Sequence, residues 1–318
     1  MPTLTARAEN AAPRLLTHRL ESLRLVRVAG PERGRFLQGQ ITQDVTAVSP
    51  TRSALFGWTT AQGRLLVTGQ LFDWRDAYWL SAPNATSQAL VRRLRMFVLR
   101  AKVTVDLSDM TVVGLSGTAA ARALSIVNHQ LPVEPLAALD AGDCFAARLG
   151  GDTRRVLVVA DATSAESNLT RLTMDSAAES AWRLADIRAG LPWIGPETFD
   201  LFIPQMVNLD LIGGVSFTKG CYAGQEIVTR TRHLGRIKRR MLRFRCAVST
   251  APNPGDVIFG PERESGRVIS ATSTPEGTEL LAVTQLDDAV GPLFADPERR
   301  WGLLRLDLPY GIPEIGGV

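Results

Sequence analysis

The sequence predicts an α+β protein whose C-terminal part, beyond about residue 240, is almost all strand. Three observations carry this. Stretches of helical period and stretches of strand period mix as far as residue 240. Past it, short alternating segments are separated by Pro/Gly turns. The chain has 318 residues and is 45% hydrophobic, enough for more than one packed unit.

Taken in order, SLRLVRVAG (Ser22 to Gly30) reads as a strand stopped by a glycine. PERGRFLQGQITQDV opens on a proline and spaces Phe36, Leu37 and Ile41 as a short helix does. RLLVTGQLF (Arg64 to Phe72) is a strand. QALVRRLRMFVLR (Gln88 to Arg100) sets Leu90, Leu94, Phe97 and Val98 on one side of an amphipathic helix. In AKVTVDL, Val103, Val105 and Leu107 alternate with polar residues, as in a half-buried strand. RRVLVVAD (Arg154 to Asp161) is a buried strand. SAAESAWRLADIRAGLP is a helix, with Ser176 and Glu179 as a capping box, Gly190 at the C′ position and Pro192 preventing continuation. MLRFRCAV (Met241 to Val248) alternates, and TAPNPGDVIF, PERESGRVIS and STPEGTELLAV are short strands between turns.

The composition narrows the function classes. Lys plus Arg exceeds Asp plus Glu by 36 to 32, so only the distribution of charge could mark an anionic partner. Cys144, Cys221 and Cys246 are too scattered for a disulfide framework, and no C-x-x-C occurs, which fits a reducing compartment. No apolar run has the length of a membrane span. Residues 1–17 lack a secretory apolar region and are expected to be an unstructured tail. The expected location is cytoplasmic. His18, His129 and His233 have no zinc-ligand spacing, and no P-loop or dinucleotide fingerprint occurs.

The chemistry concentrates in VSFTKGCYAGQEIVTRTRHLGRIKRR, Val215 to Arg240. A lone cysteine is usually a small buried apolar residue, a reading that suits Cys246 and Cys144. Cys221 differs. Gly220 and Gly224 flank it, Lys219 precedes it and arginines follow, and positive charge favours the reactive thiolate. The residues alone leave Cys221 open between these two readings. From Ile227 to Gly255 there is no acid, while Arg230, Arg232, Arg236, Lys238, Arg239, Arg240, Arg243 and Arg245 lie within. Such a run is either a solvated face or a site for an anion: phosphate backbone, a polyglutamate tail or an acidic partner.

KGCYAGQE at Lys219 to Glu226 resembles the signature of the YgfZ folate-binding family, relatives of the glycine-cleavage T-protein. FLQGQITQDV, IRAGLPWIG, FIPQMVNLDLIGGVSF and GRIKRR are similar to that family in the same order, from about Leu20 onward. The resemblance implies two interleaved ferredoxin-like or T-protein-like lobes over residues 18–240 and a C-terminal β-barrel over 241–318, around a central channel. It implies a folate-binding accessory role in iron–sulfur cluster assembly or repair, supporting [4Fe–4S] enzymes that include tRNA-modifying ones. Tetrahydrofolate or a derivative would be the cofactor. Iron–sulfur client proteins or assembly factors would be the partners, and tRNA could bind along 230–245; no membrane is implied. Cys221 would be the reactive or cluster-contacting residue, tuned by Lys219, Glu226 and Arg230. Trp182 matches a family tryptophan linked with folate, and Tyr222, Gln225 and Arg188 join it as cofactor-binding candidates.

Departures matter too. The acids that assist aminomethyl transfer in the T-protein fall on Leu66 and Val67, which cannot act as bases. Its pterin-binding glutamate falls on Arg188, and a second family tryptophan falls on Leu23. The alternatives are a folate-dependent aminomethyl or one-carbon transferase, which the missing acids oppose, and a direct tRNA-binding protein.

Overall fold

The computed structural model describes residues 16–116, 134–151, 155–161, 178–234 and 237–313, organised as three five-stranded antiparallel sheets. The first sheet holds β2 (Leu23–Ala29), β3 (Ala54–Thr59), β4 (Leu65–Trp74), β5 (Ala77–Pro83) and β6 (Thr104–Leu107), in the order β3-β4-β5-β2-β6. The second holds β1 (Leu16–Arg19), β7 (Thr111–Ser116), β8 (Ala138–Asp140), β9 (Cys144–Arg148) and β10 (Val156–Ala160), in the order β1-β7-β10-β9-β8. Among the described residues the chain thus passes from the second sheet through the whole first sheet and back. Leu16 and Thr17 already pair with Ser116 and Leu115, so strand begins inside the stretch expected to be tail; residues 1–15 lie outside the described residues.

The third sheet holds β11 (Arg239–Cys246), β12 (Val257–Phe259), β13 (Glu264–Thr274), β14 (Gly277–Gln285) and β15 (Leu303–Leu306), in the order β12-β13-β14-β11-β15. Its strand pairing is open. Phe294 makes isolated bridges to Phe259 of β12 and to Gly302 just before β15, so single bridges, and no continuous ladder, link the two edges. The barrel implied by the resemblance is not seen as a closed sheet among the described residues.

Four α-helices accompany the sheets among the described residues: α1 (Arg33–Gln38), α2 (Asn84–Val98), α3 (Ala178–Ala189) and α4 (Gln225–Leu234). None is long and apolar enough to cross a membrane. The apolar stripe of α2 is buried at Leu90, Val91 and Leu94, but Phe97 is 51% exposed, because it lies in the last turn, beyond the packed stretch. Helix α3 ends as Gly190 predicts. Gly190 takes a positive φ of 65°. Its N–H donates to the Ile187 carbonyl and that of Leu191 to the Asp186 carbonyl, the paired bonds of a Schellman end. The expected capping box rests on Ser176, which lies outside the described residues; Glu179 Oε1 accepts from the Ser22 N–H at 3.1 Å, tying α3 to the start of β2.

The first sheet separates two apolar cores. Val26, Val28, Leu71, Leu80, Leu90 and Leu94 pack on the α1/α2 side. Leu25, Leu65, Phe72 and Trp79 face a larger core shared with the second sheet (Phe145, Leu157), α3 (Trp182, Ile187) and the third sheet (Met241, Leu281). The third sheet buries its other face over Leu242, Phe244, Cys246 and Leu280. Alternate residues of one strand thus enter different cores, which is why β4 and β14 are buried along nearly their whole length.

Candidate functional site

The elements converge on one cavity. It measures about 230 Å³ and lies between the first sheet, α3 and the third sheet. Its walls come from Ser22 and Leu23 at the start of β2, Pro83 at the end of β5, α3, the Trp193–Gly195 segment and Ile269–Ala271 of β13. Helix α3 contributes Glu179, Trp182, Arg183 and Asp186. These follow the i, i+3, i+4, i+7 spacing of one helix face, so the face that would normally be core here carries two acids, an arginine and an indole.

Trp182 is buried. Its ring lies against Gly114 of β7, where a Cβ would come within 2.5 Å, and the Arg155 guanidinium sits 4.6 Å from the ring centre. Arg155 Nη1 donates to Asp186 Oδ1 at 2.6 Å and to the Trp182 carbonyl at 3.3 Å. Both members of this ion pair are buried. Burial pushes the Asp186 carboxyl upward; the charge and hydrogen bond of Arg155 and the nearby Trp193 N–H oppose that without cancelling it. The buried Trp193 N–H falls short of good hydrogen-bond geometry to any described acceptor, but it is close enough to Asp186 to favour the charged form.

Sequence reasoning reached Trp182 and Leu23, and the structure brings the two together in this cavity. It missed Asp186, Glu179, Arg155 and Trp193. The available signal was the polar interruption of an otherwise apolar face in α3, together with a second tryptophan just past the helix end.

Arg188 does not line the cavity. It lies on another side of α3 and forms a fork onto Glu279 of β14, Nη2 to Oε1 at 2.7 Å and Nε to Oε1 at 3.2 Å. Arg243 takes the other carboxylate oxygen at 2.7 Å. Burial alone would raise the Glu279 carboxyl, but hydrogen bonds from Arg188 and Arg243 outweigh it and hold the group below its ordinary value. The described contacts of Arg188 therefore fasten α3 to the third sheet.

The cysteine loop is a separate place. Cys221 is exposed, free, and not among the residues that line this cavity. Gly224 behaves as expected: its φ is 82°, and a Cβ would meet the Thr60 carbonyl at 2.3 Å. Gly220 faces open space. Lys219 is buried, and its Nζ donates to the carbonyls of Ile41 and Gln43, each at 2.8 Å, over the Tyr222 ring. Burial lowers its ammonium to about 8 against the pull of Asp44. The described partners of Lys219 are backbone carbonyls, so the ammonium expected to tune Cys221 braces the loop against the Ile41–Gln43 segment instead. Tyr222 is also buried, which raises its phenol. Gln225 and Glu226 open α4, whose last turn holds Arg232 and His233, a charge order that suits the helix dipole. Arg230 and Glu226 are exposed on this helix.

The basic run divides. Arg240 is buried and forks onto Asp210 at 2.6 and 3.1 Å, Arg243 binds Glu279, and Arg232 lies 4.0 Å from the Phe217 ring centre. Arg230, Lys238, Arg239 and Arg245 are exposed, and Arg236 is outside the described residues. The uncompensated run is corrected by acids from positions 210 and 279, far outside the window that lacked them. Leu66 and Val67 are core residues at 2% and 1% exposure, so no carboxylate stands at those positions.

No family model matches the chain. Curated relatives do. The chain is 32% identical over 304 residues to a protein of Edwardsiella ictaluri named "tRNA-modifying protein YgfZ", covering 92% of this chain and 91% of that one. It is 31% identical over 306 residues to the protein of the same name from Cronobacter sakazakii, 93% of each, and 27% identical over 274 residues to that of Colwellia psychrerythraea, 85% of each. Among solved structures, the glycine cleavage system aminomethyltransferase T of Bartonella henselae superposes with a TM-score of 0.72 at 17% identity, covering 93% of this chain and 86% of that one. That likeness is one of fold.

Proposed function

We propose, from the premise that this chain belongs to the YgfZ family, that it is a folate-binding accessory factor for iron–sulfur proteins, including those that modify tRNA. The carrying observation is the cavity that gathers Leu23 and Trp182, the two positions the family resemblance ties to folate, from distant parts of the sequence. Its residues fit a pterin ring. Two indoles wall it, and buried carboxylate oxygens can accept from the ring's amino and amide N–H groups. At about 230 Å³ it is smaller than the roughly 300–1,000 Å³ of pockets that enclose drug-sized ligands. It would take the bicyclic ring and leave the glutamyl tail outside. When bound, reduced folate supplies one-carbon or redox chemistry. The chain's own part is to hold the ring, exclude water and fix Asp186 beside Arg155.

Cys221 is the proposed contact to an iron–sulfur substrate. It is the one exposed thiol of the three cysteines. Clusters normally take four thiolates, so one cysteine would share a cluster transiently with a partner. The aminomethyl transferase reading is disfavoured by the buried Leu66 and Val67.

Two measurements test the proposal. Tetrahydrofolate should quench tryptophan fluorescence saturably, with weaker binding in Trp182→Phe; no binding at millimolar ligand would end the folate reading. In cells lacking the gene, the activity of an iron–sulfur tRNA-modifying enzyme should return with the wild type and not with Cys221→Ala. Full rescue by that variant would end the role given to the thiol.

A further inference from the structure

The cavity is more specific than an apolar slot. Asp186 lines it one helical turn from Trp182, is only 6% exposed, and is held in place by Arg155 on Oδ1. A buried carboxylate is costly unless its hydrogen-bonding capacity is used. Each carboxylate oxygen carries two lone pairs. The Arg155 bond on Oδ1 and the approach of the Trp193 N–H leave about two of the roughly four lone-pair sites for a ligand. Trp193 stands beside it with a buried indole N–H that lacks a well-aligned acceptor. The Trp182 ring is buried and already contacted by Gly114 and Arg155, whereas Trp193 is only partly buried where it lines the cavity. The other expected aromatic position is Leu23, an alkyl wall.

We infer that Asp186 is the residue that selects the 2-amino-4-oxo edge of the ring, and that Trp193 supplies the aromatic wall missing at Leu23. This deepens the folate reading above and rests on it. A pterin presents an amino N–H and a ring N–H side by side, a pair of donors that matches a carboxylate as a guanidinium fork does. A 2,4-dioxo ring of the same size presents a carbonyl where the amino group was. Its oxygen would face the Asp186 carboxylate, acceptor against acceptor. Glu179, also on the wall, accepts from the Ser22 N–H and is only partly buried, so water competes for its remaining lone pairs. Arg183 on the same face is a cation and cannot accept at all. Asp186 is thus the buried acceptor left for the ring.

The test uses two soluble probes on the full chain, pterin and lumazine, with binding followed by calorimetry. The wild type should prefer pterin by about tenfold or more, because a site built to pair a polar edge rejects the mismatched analogue. Asp186→Asn should bring the preference to within about twofold while tetrahydrofolate still binds detectably. Trp193→Leu should weaken both probes alike and keep the preference. If the Asn variant does not fold, the wild-type ratio decides alone, and equal affinity for the two rings overturns the inference. So does a preference that survives in folded Asp186→Asn. If the wild type binds neither probe nor tetrahydrofolate, the folate reading itself fails and this inference with it. If tetrahydrofolate binds but Asp186→Asn changes nothing, only the assignment of Asp186 falls.

Discussion

Helix α3 and helix α4 are of similar length and each carries a motif that the sequence marks, but they place their charges in opposite ways. On α3, Asp186 and Trp182 are turned inward, and the acid is locked to Arg155 in a buried pair. On α4 and the loop before it, Lys219 is the buried charge, held by two carbonyls, while Cys221, Glu226 and Arg230 stand in solvent. The first arrangement lines a cavity with a buried ion pair and an indole. The second braces a loop from inside and leaves its thiol exposed. The difference teaches that the conspicuous motif need not line the cavity: its buried lysine fixes a loop, while the cavity wall is written in the less obvious letters of α3.

Breaking the α3 side should have the largest effect. Arg155→Met leaves the Asp186 carboxylate buried without its partner and should cost on the order of 3–5 kcal/mol, read as a shift in the denaturant midpoint. If the loss is under 1 kcal/mol, the pair is not as dry as described. Gly224→Ala comes next. A Cβ there meets the backbone carbonyl of Thr60 at a positive φ, so a loss of about 1–3 kcal/mol is expected by thermal melting. Gly220→Ala, with open space around its Cβ, is the matched control and should be nearly silent.

A pH titration of stability should separate the two buried charges by sign. The unfolded chain keeps the Lys219 proton to about pH 10.4, whereas the folded chain releases it from about 8. Between these values the unfolded state binds more protons, so stability should rise with pH across that window, and Lys219→Met should remove the rise. Asp186 acts the other way. Its folded carboxyl sits above its ordinary value, so the folded state binds more protons, and stability should fall as pH rises from about 3.9 through the folded value. A Lys219→Met protein that keeps the alkaline rise would assign that rise elsewhere.

The smallest effect on stability belongs to Cys221→Ala, expected within about 0.5 kcal/mol because the side chain is exposed. Its chemistry should nonetheless dominate. In the folded protein an alkylating agent should label Cys221 first. Cys144 should follow slowly, since burial and Asp143 raise its thiol to about 11, and buried Cys246 should stay unlabelled. Peptide mass spectrometry gives the order, and early labelling of Cys246 would contradict its place in the third sheet.

Much of the fold was legible from local pattern. The strands at Leu23–Ala29, Leu65–Trp74, Val156–Ala160 and Arg239–Cys246 and the helices around Phe36, Leu90 and Trp182 follow from period and punctuation. What local pattern could not carry was pairing at a distance. Arg240 and Arg243 looked uncompensated because Asp210 and Glu279 reach them from other elements. The bond from the Ser22 N–H to Glu179 spans 157 residues and has no local signature. Phe97 looked buried because period says which side a residue is on and not how far the packed surface extends. Cys221 and Trp182 looked like parts of one site, and only three dimensions show the cavity without the thiol.

The short first strand has a consequence for how the chain reaches this structure. Strand β1 finds its partner β7 only after every residue of the first sheet has been made. At synthesis rates of about 5–20 residues per second, the intervening stretch of nearly 100 residues leaves β1 waiting on the order of 5–20 s. The first sheet can condense in that interval from contacts close in sequence. Its inner face, with Leu65, Phe72 and Trp79, stays uncovered until β9, β10 and α3 emerge. Such late-closing, long-range contacts slow folding and lengthen exposure of apolar surface. The nascent chain is therefore most vulnerable to aggregation after the first sheet is complete and before Trp182 has left the ribosome.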